Sequence, residues 1–130
     1  MLSNIVLIID DDEDDRQMFA EALKEVNPAF TCKQAYDGIH ALEHLEKTVL
    51  IPDIIFLDVN MPRMGGLECL KKIKEIPRLN KIPVVIYSTA NTPELELMAH
   101  RYGAACFIKK PLHYNEIVNC IRTLITEYIN

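Results

Sequence analysis

Residues 5 to 16 read IVLIIDDDEDDR: five apolar residues in succession, then six acids without a break from Asp10 to Asp15. The apolar part has the length of a strand. It is apolar at successive rather than alternate positions, the pattern of a strand covered on both faces in a parallel sheet. Three more runs repeat the pattern, IIFL at 54–57, VVIY at 84–87 and ACFI at 105–108, and a fifth segment, FTCKQA at 30–35, is mixed in polarity and reads as an edge strand. Helical spacing lies between them: Phe19, Leu23 and Val26; Leu95, Met98 and Tyr102; and Ile117, Ile121, Leu124, Ile125 and Tyr128. Thr92-Pro93 marks a capped helix start and Gly103 a helix end. The order is β-α five times over, which predicts an α/β fold with a parallel sheet, helices on both faces and right-handed crossovers. No internal repeat or linker interrupts residues 1–130, which read as one domain.

A chain of 130 residues, 49% hydrophobic and 25% charged, is ordinary for one globular unit. No apolar stretch approaches the roughly 20 residues of a membrane helix, and the Ile5–Ile9 run is too short for the core of a signal peptide. A cytoplasmic protein is expected. The net charge of −5 and the lack of a basic patch argue against a nucleic-acid or membrane partner. Cys32, Cys69, Cys106 and Cys120 stand far apart with no zinc-like spacing, so they read as small buried hydrophobes in a reducing compartment.

In an open α/β sheet, functional groups gather beyond the carboxyl ends of the strands. That rule selects Asp10 and Asp11 after the first strand, Asp58 after the third, Ser88 and Thr89 after the fourth, and Lys109 and Lys110 after the fifth. Carboxylates held close together repel one another, and a hard divalent cation relieves the repulsion. Magnesium fits, since it is usually held by one or two carboxylates together with phosphoryl oxygens. A lysine and a hydroxyl beside such a group suit phosphoryl transfer to a carboxylate, with Asp58 as nucleophile. For Asp12, Glu13, Asp14 and Asp15 the plainer reading is preferred: solvated acids at a helix N-terminus, favoured by the helix dipole. Alternation along the strand sends Lys109 and Lys110 to opposite sides, so only one of them should reach the rim.

Four stretches, VLIIDDDEDDR, PDIIFLDVNMPRMGG, IPVVIYSTA and GAACFIKKP, resemble in their order and placement the receiver domains of two-component response regulators, including the stand-alone chemotaxis type. The resemblance covers nearly the whole chain. It implies the doubly wound flavodoxin-like (βα)5 fold with strand order 2-1-3-4-5, and phosphorelay signalling as the function. By the same resemblance, Asp58 accepts a phosphoryl group from a histidine kinase or a histidine phosphotransfer protein. Asp11 binds Mg2+ directly, Asp10 does so largely through water, and the main-chain carbonyl of Asn60 is a further ligand. Lys110 contacts the phosphoryl group, and the Lys110-Pro111 bond is cis. Ser88 is the hydroxyl that turns toward the phosphoryl group on activation, with Thr89 as the neighbouring choice, and Phe107 matches the switch aromatic. Side chains at the positions of Asn60 and Ala90 influence the lifetime of the phosphoryl group. Gly65 departs from the family in a loop where an acid is common.

The resemblance also implies that phosphorylation changes the surface of the fourth helix, fifth strand and fifth helix, with a downstream protein as reader and the chain a monomer or weak homodimer. A chain stopping at Asn130 predicts output through binding rather than through an enzymatic or DNA-binding domain. Three rival readings stand beside this one. A dehalogenase-type phosphatase needs a second aspartate where Asn60 stands. A flavin module needs a phosphate-binding first loop, which six acids would repel. A binding module that is never phosphorylated would carry these residues without using them.

Overall fold

The computed structural model describes residues 3–129. Ten elements alternate: β1 (Ile5–Ile9), α1 (Glu13–Val26), β2 (Thr31–Ala35), α2 (Gly38–Lys47), β3 (Ile54–Leu57), α3 (Gly66–Glu75), β4 (Val84–Ser88), α4 (Pro93–Arg101), β5 (Cys106–Lys109) and α5 (Tyr114–Ile129). All strand pairs are parallel and the sheet order is β2-β1-β3-β4-β5. This is the flavodoxin-like architecture, as expected.

The successive apolar residues of the central strands are explained by two cores. Leu7, Ile9, Ile55, Leu57, Val84 and Ile86 face α2, α3 and α4. Their neighbours Val6, Ile8, Ile54, Phe56, Val85 and Tyr87 face α1 and α5. Side chains alternate across a strand, so a strand covered on both sides must be apolar throughout. On the α1/α5 side, Phe19, Phe56 and Tyr87 form an aromatic cluster with centroids 4.8 to 5.9 Å apart in tilted and edge-on arrangements.

The helix starts follow the sequence. Thr92 Oγ1 accepts the Leu95 N–H, Pro93 occupies the first turn of α4, and Gly103 takes φ +99° just after that helix. Asp12 and Asp37 cap α1 and α2 through the amides of Asp15 and His40.

Three expectations are corrected. The buried face of α4 is built on Ala99, flanked by half-buried Leu95 and Tyr102, whereas Met98 is exposed. An alanine at the contact lets this helix approach closely, and the bulkier Met98 falls to its flank. ACFI, expected to be covered on both faces, becomes the second edge strand, β5, with Cys106, Phe107 and Ile108 only half-buried. Of the four cysteines, all free, only Cys69 is fully buried; Cys32 and Cys106 ride the two edge strands and Cys120 the flank of α5. Burial still raises their thiols, Cys69 to about 12 and Cys32 and Cys120 to about 11.

Candidate functional site

The parallel ladder continues one residue past the ends of β1, β3 and β5 and so fixes the rim. The Asp10 N–H donates to Ala35 O at 3.0 Å, the Asp58 N–H to Ile9 O at 2.9 Å, and the Lys110 N–H to Ser88 O at 2.9 Å. These bonds bring Asp10, Asp58 and Lys110, far apart in sequence, to one end of the sheet. Asp10, Asp58, Ser88 and Lys110 are buried there, while Asp11 is exposed.

Carboxylate oxygens of Asp10, Asp11 and Asp58 all lie within 4.8 Å of one another. Lys110 Nζ sits against them, 2.6 Å from Asp10 Oδ2, 2.9 Å from Asp15 Oδ2 and 3.3 Å from Asp58 Oδ2, with the Tyr87 ring centroid 5.9 Å away. Lys109 is exposed, so one lysine of the pair reaches the rim. Asp10 Oδ1 accepts the Asp12 N–H and Asp58 Oδ1 the Val59 N–H. Asp10 Oδ2 has no well-aligned donor and is held only by the charge of Lys110.

Burial dominates the electrostatics of Asp10. It pushes the carboxyl up to about 6; the Lys110 ammonium and the Asp12 amide pull the other way without cancelling it, and the charge of Asp58 adds to the rise. For Lys110 the balance is reversed. Burial alone would lower its pKa, but the close contacts with Asp10 and Asp15 and the charges of Asp10 and Asp58 outweigh it, so the ammonium is held firmly protonated.

A hard divalent cation suits this donor set. It offers three converging carboxylates, one bearing a buried oxygen without a proper donor, and an excess of negative charge over the single lysine. No hydrogen bond among the described residues ends on the Asn60 carbonyl, which follows Asp58 by two positions.

The remaining residues singled out from sequence are placed as follows. Ser88 is fully buried at the end of β4, and its Oγ accepts the Ala90 N–H at 3.1 Å. Thr89 is exposed and lines a small pocket of about 190 Å³ with Lys110, Met18 and Leu112. Phe107, half-buried, borders a groove of about 260 Å³ against Ala99 and His100 of α4. The bond before Pro111, expected to be cis, is trans like every peptide bond among the described residues. Trans is favoured before proline by about 0.5–1 kcal/mol, and Lys110 reaches the carboxylates from it.

Two further features escaped the sequence. Asp15, read as a solvated dipole-favoured acid, contacts Lys110 instead. Side chains in a first helical turn lean toward the helix N-terminus, here the rim, and that is the signal that points to it. The second is Gly66, where a Cβ would lie 2.0 Å from Asp58 O and 2.8 Å from Val59 Cα, so the loop carrying Asp58 closes only over a glycine. The same loop is tied down at Arg63, a non-glycine residue at φ 66°. Its guanidinium grips buried Asp37 at 2.8 Å through Nε and 2.7 Å through its terminal nitrogen. Burial would raise the Asp37 carboxyl, but the His40 amide and Arg63 hold it below the usual carboxylate range.

Comparison with known proteins agrees with this fold. Residues 6–122 match the response regulator receiver domain. The chain is 38% identical over 109 residues to a protein-glutamate methylesterase/protein-glutamine glutaminase of Pyrococcus abyssi, covering 82% of this chain and 28% of that protein. It is 36% identical over 124 residues to the two-component response regulator ARR17 of Arabidopsis thaliana, covering 86% of this chain and 78% of that one. The crystal structure of the phosphorylated cyanobacterial phytochrome response regulator RcpA superposes with a TM-score of 0.89 at 24% identity, over 97% of this chain and 94% of that one, and so shares the fold. The chain thus spans less than a third of the Pyrococcus protein's length and most of the plant regulator's.

Proposed function

The chain belongs to the response regulator receiver domain family, and from that premise we infer that it is a phosphorylation-operated switch with Asp58 as the acceptor. The observation that carries the reading is the meeting of Asp10, Asp11 and Asp58 with the Lys110 ammonium beyond the strand ends. Asp10, Asp11, Asp58 and the Asn60 carbonyl would hold Mg2+. When bound, the ion supplies charge neutralisation between acceptor and phosphoryl oxygens.

The reaction balances simply. A carboxylate oxygen of Asp58 attacks phosphorus, the bond from phosphorus to the donor imidazole nitrogen breaks, and its electron pair leaves with that nitrogen, which takes up a proton from solvent. Lys110, already 3.3 Å from Asp58 Oδ2 and firmly protonated, meets the charge that arrives. Ser88 Oγ, which accepts the Ala90 N–H before phosphorylation, turns to donate its hydroxyl hydrogen to a phosphoryl oxygen, and Phe107, beside the α4 groove, changes its packing with it. The added charge at a packed junction favours one of two arrangements of α4, β5 and α5, which a downstream protein distinguishes. A histidine kinase or histidine phosphotransfer protein is the donor expected for a receiver domain.

The test is intact mass after incubation with magnesium and a small acyl phosphate. Gain of one phosphoryl group in wild type, lost in Asp58→Asn and without magnesium, is the expected result. No gain in wild type, or an equal gain in Asp58→Asn, would overturn the reading.

A further inference from the structure

The Lys110 ammonium faces three carboxylates, but only two of these, Asp10 and Asp58, belong to the cluster suited to a metal. The third, Asp15, enters through a closed ring of contacts. Asp10 Oδ1 accepts the Asp12 N–H, Asp12 Oδ1 accepts the Asp15 N–H, Asp15 Oδ2 lies 2.9 Å from Lys110 Nζ, and Nζ lies 2.6 Å from Asp10 Oδ2. A merely solvated helix-end acid would not be tied in this way to a lysine 95 positions away.

We propose that Asp15 is a positioning residue for Lys110: the carboxylate that keeps the ammonium at the rim once Asp10 and Asp58 turn to the divalent cation. This rests on the reading of the site given above. The ammonium and a metal compete for the same two carboxylates, Asp10 and Asp58. Lys110 would be repelled by a divalent cation held on these carboxylates at such close range and would have to withdraw from them. A buried ammonium that loses both partners is strongly disfavoured. Asp15, itself 38% exposed and outside the metal cluster, gives it a place to remain. Lys110 stays within reach of Asp58, with donors free for phosphoryl oxygens.

Titration calorimetry of magnesium binding, at fixed ionic strength and neutral pH, tests this with wild type, Asp15→Asn, Asp15→Glu and Asp14→Asn. Asp14 carries the same charge one residue away and is exposed, so it reports bulk charge alone. Asp15→Asn should raise the magnesium Kd about three- to fivefold, the range of one partly exposed ion pair, and Asp14→Asn by less than about twofold. Asp15→Glu should restore most of the affinity. Equal effects of Asp14→Asn and Asp15→Asn, tighter binding by Asp15→Asn, or no rescue by glutamate would overturn the role of Asp15 alone, leaving Asp58 phosphorylation standing. Wild-type protein that binds no magnesium would remove both.

Discussion

Replacing Asp10 by asparagine should stabilise the metal-free protein at neutral pH, although it removes one partner of the Lys110 ion pair. Burial raises the Asp10 carboxyl from 3.8 to about 6 even with Lys110 beside it, so the ionised form is the costly one in the folded state. Between those two values the native chain binds more protons than the unfolded chain, and stability therefore falls as pH rises from about 4 to about 6 and is level above that. At about 1.36 kcal/mol per pKa unit the whole span is worth about 3 kcal/mol. In a domain of this size that is roughly 10 °C in Tm. Asparagine keeps the shape and cannot ionise, so Asp10→Asn should lack the decline: the two melting temperatures should nearly coincide at about pH 4 and separate by several degrees by about pH 6. Thermal unfolding followed by circular dichroism in a chelator, across that range, reads the difference directly. Saturating magnesium should reverse the advantage, because only wild type keeps the full ligand set and gains binding energy in the native state. Parallel pH profiles in the chelator, or an Asp10→Asn protein less stable at neutral pH, would refute the argument that Asp10 is ionised against its burial.

Gly66→Ala forces a Cβ to within 2.0 Å of the Asp58 carbonyl oxygen, and urea unfolding should show a loss of more than about 2 kcal/mol; a loss under about half of that would mean the loop relaxes freely. Arg63→Ala loses the Asp37 ion pair and keeps the left-handed backbone at φ 66°, whereas Arg63→Gly loses the pair and relieves the backbone. The glycine variant should therefore be the more stable of the two by about 0.5–1 kcal/mol, and an alanine variant as stable as the glycine one would show that the backbone at this position carries no strain.

The sheet was legible because each central strand spends its whole length between two cores; the runs at 5–9 and 54–57 coincide with β1 and β3. The same rule misled at 105–108, where cysteine, phenylalanine and isoleucine form an edge strand whose apolar composition does not tell its exposure. Helix α4 was found through its cap and proline, but its buried face was not, since Ala99 contributes too little hydrophobicity to outweigh Met98 in a periodicity argument. At the rim, position after a strand end was enough to bring out Asp10, Asp58, Ser88 and Lys110, which are buried polar residues. Asp15 and Arg63 depend on contacts with distant segments, Lys110 and Asp37, and a carboxylate or guanidinium in a polar loop carries no local mark of its partner.

The Lys110 contacts have a consequence for the newly made chain. The acids of β1 and β3 are synthesised well before the strand that brings their counter-charge, and the Lys110–Asp15 contact spans 95 positions. Asp10 and Asp58 are set side by side by the pairing of β1 with β3, but until β5 lies against β4 the Lys110 ammonium is missing from beside them, and closing that gap is the kind of long-range pairing that comes late in folding. On the proposed function, the site is therefore assembled only with the finished sheet, when β5 brings Lys110 to within 3.3 Å of Asp58.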